Sequence, residues 1–192
     1  MKKITTVFID LDGVLVDWLE GIREHMQAPV NIYDGFRKDP KTLCHDAVDA
    51  LYGGRGALKK IQLERPEEWW LGLKFFPWAK YLVSTMQENF PVAFLTSPGT
   101  TPTAAKAKIQ WQINHYPEIP IIVGKHKYLA ANETKVLIDD DNWQLSRWRD
   151  VGGLAIRWPN QFEWEDKPLW QTKAFISSLV IQIQNHEQAY HE

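Results

Sequence analysis

The residues most able to do chemistry are acids at the ends of apolar runs. In Val7-Phe8-Ile9-Asp10-Leu11-Asp12-Gly13-Val14 an apolar stretch ends in two carboxylates one residue apart, followed by a glycine. A parallel α/β sheet binds its ligands at the carboxyl ends of its strands. Neighbouring carboxylates repel, so a cation is expected between them, and Mg²⁺ prefers oxygen ligands of this kind. Glycine at position 13 allows close backbone approach or a positive φ. A second acidic end is Val136-Leu137-Ile138-Asp139-Asp140-Asp141-Asn142. Asp141 or Asn142 can cap the following helix. Capping does not account for three adjacent acids, whereas a metal does.

Two further segments carry polar groups of other kinds. Phe94-Leu95-Thr96-Ser97-Pro98-Gly99 ends an apolar run in hydroxyls that can hold a phosphate oxygen. As a bare pattern it reads more readily as a Ser/Thr turn before the helix signal at Pro102. Lys125-His126-Lys127 follows the run Ile119 to Val123. A lysine there can neutralise charge between a carboxylate and a phosphate dianion, although a solvated basic loop has the same composition.

The elements that must position these groups are short and apolar. Ile4 to Ile9, Val92 to Leu95, Ile119 to Val123, Val136 to Ile138 and Leu154 to Ile156 are Val/Ile-rich runs of strand length, as in strands buried on both faces. Helical patterns at Trp78 to Glu88, Pro102 to His115 and Asn142 to Asp150 separate the later runs, and Leu169 to about His186 should pack on the sheet. Such alternation predicts a Rossmann-like α/β core with a parallel sheet and helices on both faces. From about Asp17 to Phe76 the rhythm breaks. That stretch holds no convincing strand, a turn-rich piece at Asn31 to Gly35, a helix expected from Pro40 to Tyr52, and a glycine-rich loop at Gly53 to Gly56. It is expected to form a small, mostly helical insertion, residues 17–76, in a core made of residues 1–16 and 77–192.

In this order and on these strands the four segments resemble the haloacid dehalogenase superfamily of phosphatases, with the insertion where that family places its type 1 caps. The resemblance covers nearly the whole chain. It implies that Asp10 is a nucleophile and Asp12 a general acid/base. It implies that Thr96 holds phosphate and that Lys127 or Lys125 neutralises charge. Asp10, the Asp12 carbonyl, Asp139 and Asp140 would hold Mg²⁺. Backbone N–H groups from Leu11 onward, with Ser97, would also meet the phosphate. Within the superfamily the chain looks most like the 5'(3')-deoxyribonucleotidase group, on Asp10-Leu11-Asp12-Gly13-Val14, Leu95-Thr96-Ser97-Pro98, Leu137-Ile138-Asp139-Asp140 and Trp148-Arg149-Asp150-Val151-Gly152-Gly153.

The resemblance implies hydrolysis of a small phosphate monoester, nucleoside monophosphates first. A polynucleotide 3'-phosphatase, another small-molecule phosphatase and a non-catalytic nucleotide-binding module on the same fold are the alternatives. Aromatic residues of the insertion, Trp18 above all, then Trp69 and Trp70, are candidates to stack a nucleobase; the competing role is the insertion's own core.

Bulk composition narrows the field. A net charge of -2 gives no basic surplus for an extended nucleic-acid surface. Cys44, the single cysteine, rules out an intramolecular disulfide and disfavours a thiolate metal site. The first residues lack the pattern of a signal peptide, and no apolar run approaches the roughly 20 residues that span a bilayer. A cytoplasmic protein is expected, with homodimerisation left open.

Overall fold

The computed structural model describes residues 3–37, 44–164 and 167–189. The chain opens with strand β1 (Thr6–Ile9), then β2 (Val16–Asp17) and helices α1 (Trp18–His25), α2 (Asp34–Arg37), α3 (Cys44–Leu51), α4 (Ala57–Leu63) and α5 (Glu67–Leu71). Strand β3 (Lys74–Phe75), α6 (Ala79–Asn89), β4 (Val92–Thr96), α7 (Pro102–His115), β5 (Ile121–Val123) and a 3₁₀ turn (Lys127–Ala130) follow. The chain continues through β6 (Lys135–Asp139), α8 (Asn142–Asp150), β7 (Leu154–Arg157), α9 (Gln161–Trp164) and α10 (Leu169–Ala189).

Five strands form one parallel sheet in the order β5-β4-β1-β6-β7. Alternate side chains leave opposite faces of a strand, and the sheet divides accordingly. Val7, Ile9, Phe94, Val136, Ile138 and Ile156 join the larger core, and Phe8, Ala93, Leu95, Leu137 and Ala155 the smaller. The larger core takes Leu82 and Met86 of α6, Ala104, Ala107 and Trp111 of α7, and Ile176, Leu179 and Ile183 of α10. The smaller is closed by Leu145 and Trp148 of α8. Gly153 lets Trp148 in, since a Cβ there would stand 2.2 Å from its Nε1. The expected parallel sheet with helices on both faces is therefore observed.

The chain leaves β1 toward β4 and β5 and then crosses back to β6 and β7. The order of strands thus reverses at β1, and such a switch point opens a crevice at the strands' carboxyl ends. Register aligns those ends: Ile9 is opposite Ile138 and Phe94. Asp10, Thr96 and Asp139 consequently meet at one rim.

The segment between β1 and β4 departs from expectation in one respect. Val16 pairs antiparallel with Phe75 and Asp17 with Lys74, so a two-stranded ribbon closes the base of the insertion where no strand was expected. Two residues are too few to show strand periodicity, and the pairing joins positions far apart in sequence. Of the helix expected from Pro40 to Tyr52, residues 40–43 lie outside the described residues, and Cys44–Leu51 is helical. The β5 strand is shorter than the Ile119–Val123 run, because Pro120 has no N–H for the ladder, and pairing starts at Ile121. Trp18, Leu19, Ile22, Ala47, Val48, Ile61, Trp70 and Leu73 of the insertion share one continuous apolar cluster with β1, β4 and β6. Among the described residues, no helix is long and apolar enough to cross a membrane.

Candidate active site

The acidic centre is built on the ends of β1 and β6. Asp10 is buried, and its amide donates to the Ile138 carbonyl at 3.0 Å. Asp139 is fully buried. One carboxylate oxygen from each of Asp10, Asp139 and Asp140 falls within 4.8 Å of the others. Lys127, buried on the 3₁₀ turn after β5, places Nζ 2.8 Å from Asp10 Oδ1 and 2.7 Å from Asp139 Oδ2. The Asp139 Oδ1 atom accepts the Asp141 amide at 2.9 Å.

Electrostatics favour a cation at this centre. Burial is the largest influence on Asp139 and pushes its carboxyl up to about 7; Lys127 opposes the rise and Asp10 adds to it. Asp140 is raised well above the ordinary range by burial, then by Asp139 and Asp10. Burial works against the charge on Lys127, yet Asp10 and Asp139 outweigh it and hold the ammonium above its ordinary value. Although Asp10 Oδ1 forms an ion pair with Lys127, it makes no aligned hydrogen bond and is otherwise without a partner. Two unit charges about 4 Å apart interact by roughly 4 kcal/mol at an effective dielectric of about 20, so three carboxylates here favour a cation. The donor set, all carboxylate oxygen, fits a hard divalent ion. Gly13 belongs to the same arrangement. It has φ 81°, and a Cβ on it would stand 2.3 Å from Asp140 Oδ2.

Asp12 faces the other way. Its carboxylate receives Lys108 Nζ at 2.5 Å. The same ammonium donates to the Ser97 carbonyl at 2.6 Å and to Thr96 Oγ1 at 3.2 Å. Thr96 is fully buried at the end of β4. Sequence reasoning missed Lys108. A signal existed: Ala104, Ala107 and Trp111 form the buried stripe of α7, and position 108 falls on that stripe at helical spacing. A lysine there must find a partner inside.

Other expected residues divide as follows. Of the two loop lysines, Lys127 enters the acidic centre, while Lys125 is exposed and its carbonyl accepts from Gln144 Nε2. Asp141 caps α8 by accepting the Trp143 amide at 2.8 Å. The Leu11 side chain is buried in the core, so only its backbone faces the site. Trp18 is buried on α1 and stacks on His45 with ring centroids 5.2 Å apart. Both line a recess of about 190 Å³ together with Asp140, Asn142, Trp143 and Asn160. His45, Trp143 and Asn160 were not foreseen: nothing in the sequence around His45 and Asn160 ties them to β6, and Trp143, just after the acidic end of β6, reads as an ordinary first-turn residue of α8.

Trp70 is buried away from Asp140, among Leu11, Val16, Leu73 and Trp111 and on the Asp12–Lys108 side of the turn, and Trp69 meets it edge-on at 4.8 Å. The structure thus puts Trp18 beside the acids and sets Trp69 and Trp70 in the packing between α5, α1 and α7. A larger recess of about 290 Å³, between Phe76, Trp78, Trp164 and Thr172, includes none of the clustered acids.

No family model matches the chain. It is 24% identical over 145 residues to proteins named 5'(3')-deoxyribonucleotidase from Bacillus subtilis and from Bacillus phage SPbeta, covering 73% of this chain and 77% of each relative. Among solved structures, a haloacid dehalogenase-like family hydrolase from Xanthomonas campestris aligns with TM-score 0.54 at 14% identity, covering 95% of this chain and 94% of that one. A haloacid dehalogenase-like hydrolase from Streptococcus pneumoniae aligns with TM-score 0.51 at 20% identity, covering 82% and 85%.

Proposed function

The chain has the haloacid dehalogenase fold, and on that fold we propose that it is a Mg²⁺-dependent phosphomonoester hydrolase acting on nucleoside monophosphates. The observation that carries the proposal is Asp10: a buried carboxylate at the switch point, beside Lys127, within reach of Asp139 and Asp140, and short of one hydrogen-bond partner. Asp10, the Asp12 carbonyl, Asp139 and Asp140 would hold the ion. When bound, it would offset the repulsion between a phosphate dianion and a carboxylate nucleophile.

In the first step a carboxylate oxygen of Asp10 attacks phosphorus, the bond to the ester oxygen breaks, and Asp12 delivers a proton to the leaving oxygen. In the second step water attacks the aspartyl-phosphate, its proton passes to Asp12, and the bond from phosphorus to Asp10 breaks. Lys127, the Thr96 hydroxyl, Ser97 and the amides after Asp10 hold the remaining phosphate oxygens. The nucleotide preference rests on the Trp18–His45 recess beside Asp140 and on the names of the two Bacillus relatives.

A phosphate-release screen over nucleoside monophosphates, sugar phosphates and 3'-phosphorylated oligonucleotides, with and without Mg²⁺, tests this. Release from nucleotides only in Mg²⁺ is expected. A preference for sugar phosphates would reject the nucleotide assignment and keep the phosphatase. Preference for the oligonucleotide end would make the substrate a polynucleotide 3'-phosphate.

A further inference from the structure

Lys108 is a buried cation that the proposed chemistry has not used. Its side chain is 6% exposed, and its Nζ meets Asp12 Oδ2, the Ser97 carbonyl and Thr96 Oγ1. An ammonium has three protons to donate and accepts nothing. All three are directed to protein acceptors, so none remains for a substrate oxygen. These contacts span two elements: the turn after β1, which carries Asp12, and the end of β4, which carries Thr96 and Ser97. The lysine stands on α7, whose Lys106 binds Glu67 of α5 at 2.6 Å. Trp70 and Leu73 pack beside Asp12 and Lys108. Asp12 itself is partly exposed and, apart from this ammonium, lies on a short turn.

Resting on the reading of Asp12 as acid and base above, we propose that Lys108 is a positioning residue that fixes the Asp12 carboxylate for both proton transfers. Held from the side, Asp12 keeps one orientation while the ester oxygen leaves and while water arrives. Without Lys108 the side chain is free to rotate away, and both transfers lose their geometry. Substrate affinity should change little, because Lys127, the metal ligands and the amides after Asp10 remain, and Thr96 and Ser97 lose only a neighbour that donates to them.

The two transfers can be separated by leaving group. A nucleoside leaves as an alkoxide and needs the proton from Asp12. The p-nitrophenolate ion leaves without it, but the aspartyl-phosphate left behind still needs Asp12 to deprotonate water. In Mg²⁺, Lys108→Met should lower kcat on a nucleoside monophosphate by about 10²-fold, the lower range for acid–base catalysis, with KM changed by less than about threefold. On p-nitrophenyl phosphate it should give a burst of p-nitrophenol equal to the enzyme concentration, followed by slow turnover. Adding Lys108→Met to Asp12→Asn should cost little more than Asp12→Asn alone, since residues that act through one group are not additive. Lys108→Gln, which keeps a donor without the charge, provides the same comparisons should the methionine variant fold poorly.

A raised KM with kcat intact would make Lys108 a substrate-binding residue and overturn the proposal. Equal losses on both substrates without a burst, or full additivity with Asp12→Asn, would make it a scaffold residue. Wild-type protein that releases no phosphate from any monoester would instead remove the reading of function on which the proposal rests.

Discussion

Two lysines flank the Asp10–Asp12 turn, and their surroundings differ in a telling way. Lys127 faces Asp10 and Asp139, with Asp140 adjoining, so three carboxylates gather around one ammonium. Lys108 faces one carboxylate and two neutral oxygens. The second cluster is balanced and its donors are used. The first is short of positive charge, holds acids pushed out of their ordinary range, and leaves an Asp10 oxygen without an aligned donor. One side of the turn is finished as folded, and the other calls for a cation and an anionic ligand. The difference gives the two carboxylates, one residue apart in sequence, distinct surroundings, and these underlie the roles proposed for them: Asp10 as nucleophile beside metal and lysine, Asp12 as proton carrier held by protein alone.

The largest effect should follow from changing the unfinished side. In the proposed mechanism Asp10→Asn removes the attacking oxygen and part of the charge that would hold the ion. Turnover should fall by at least ~10³-fold, roughly 4 kcal/mol at the barrier, with the fold retained. A variant keeping a tenth of wild-type activity, measured by phosphate release, would take Asp10 out of this role.

Gly13→Ala attacks the same side without touching a carboxylate. The new Cβ would stand 2.3 Å from Asp140 Oδ2, at a φ of 81° that disfavours side chains. Asp140 must move, so the Mg²⁺ concentration for half-maximal activity should rise by about tenfold or more, the range seen when groups that orient metal ligands are changed. An unchanged Mg²⁺ titration would show that Asp140 is not needed for the ion.

The contrast between the two lysines also shows how far the sequence reaches. Asp10, Thr96 and Asp139 stand at strand ends, and buried strands announce themselves as apolar runs; the place where such runs stop is legible. Lysines two residues apart on a helix are not. Lys106 and Lys108 point to nearly opposite sides of α7: one reaches Glu67 at the surface, the other Asp12 in the interior. Only the Ala104, Ala107 and Trp111 stripe decides which is which. The tryptophans pose the same problem. Trp18 and Trp70 are both buried, and their chemistry as residues is identical; only the path of the chain through the β2–β3 ribbon sets one beside Asp140 and the other beneath α7.

A smaller effect concerns the recess over the acids. Trp18 is buried, so its removal risks the packing of α1, whereas its stacking partner His45 is exposed. Trp18→Ala should reduce kcat/KM for nucleotides by ~1–3 kcal/mol if a base stacks there. His45→Ala should act in the same direction by less, and neither should alter hydrolysis of a small alkyl phosphate. Equal losses on both substrate types would return Trp18 to the role of core residue.

The smallest effect is thermal and depends on pH. Asp139 has a folded-state value raised to about 7, against about 3.9 for a free aspartate. A raised carboxyl contributes stability that is present below its unfolded value and lost as pH rises through the folded one. Without metal, that contribution should therefore fade between about pH 4 and 7, as Asp139 takes on charge in its buried position. Mg²⁺ binds the ionised form, so its affinity should increase over the same window. At 100 times its dissociation constant a ligand adds about 2.7 kcal/mol, and each kcal/mol moves Tm by roughly 2–4 °C for a chain of this size. Saturating Mg²⁺ should thus raise Tm by roughly 5–10 °C at pH 8 and by much less at pH 5.5, read by differential scanning calorimetry. Asp139→Asn should abolish most of the dependence on both pH and metal, while Lys108→Met, which alters only the balanced cluster, should leave it in place. An equal Mg²⁺ shift at the two pH values would mean that the ion binds away from the buried acids, and the contrast between the two sides of the turn would fail.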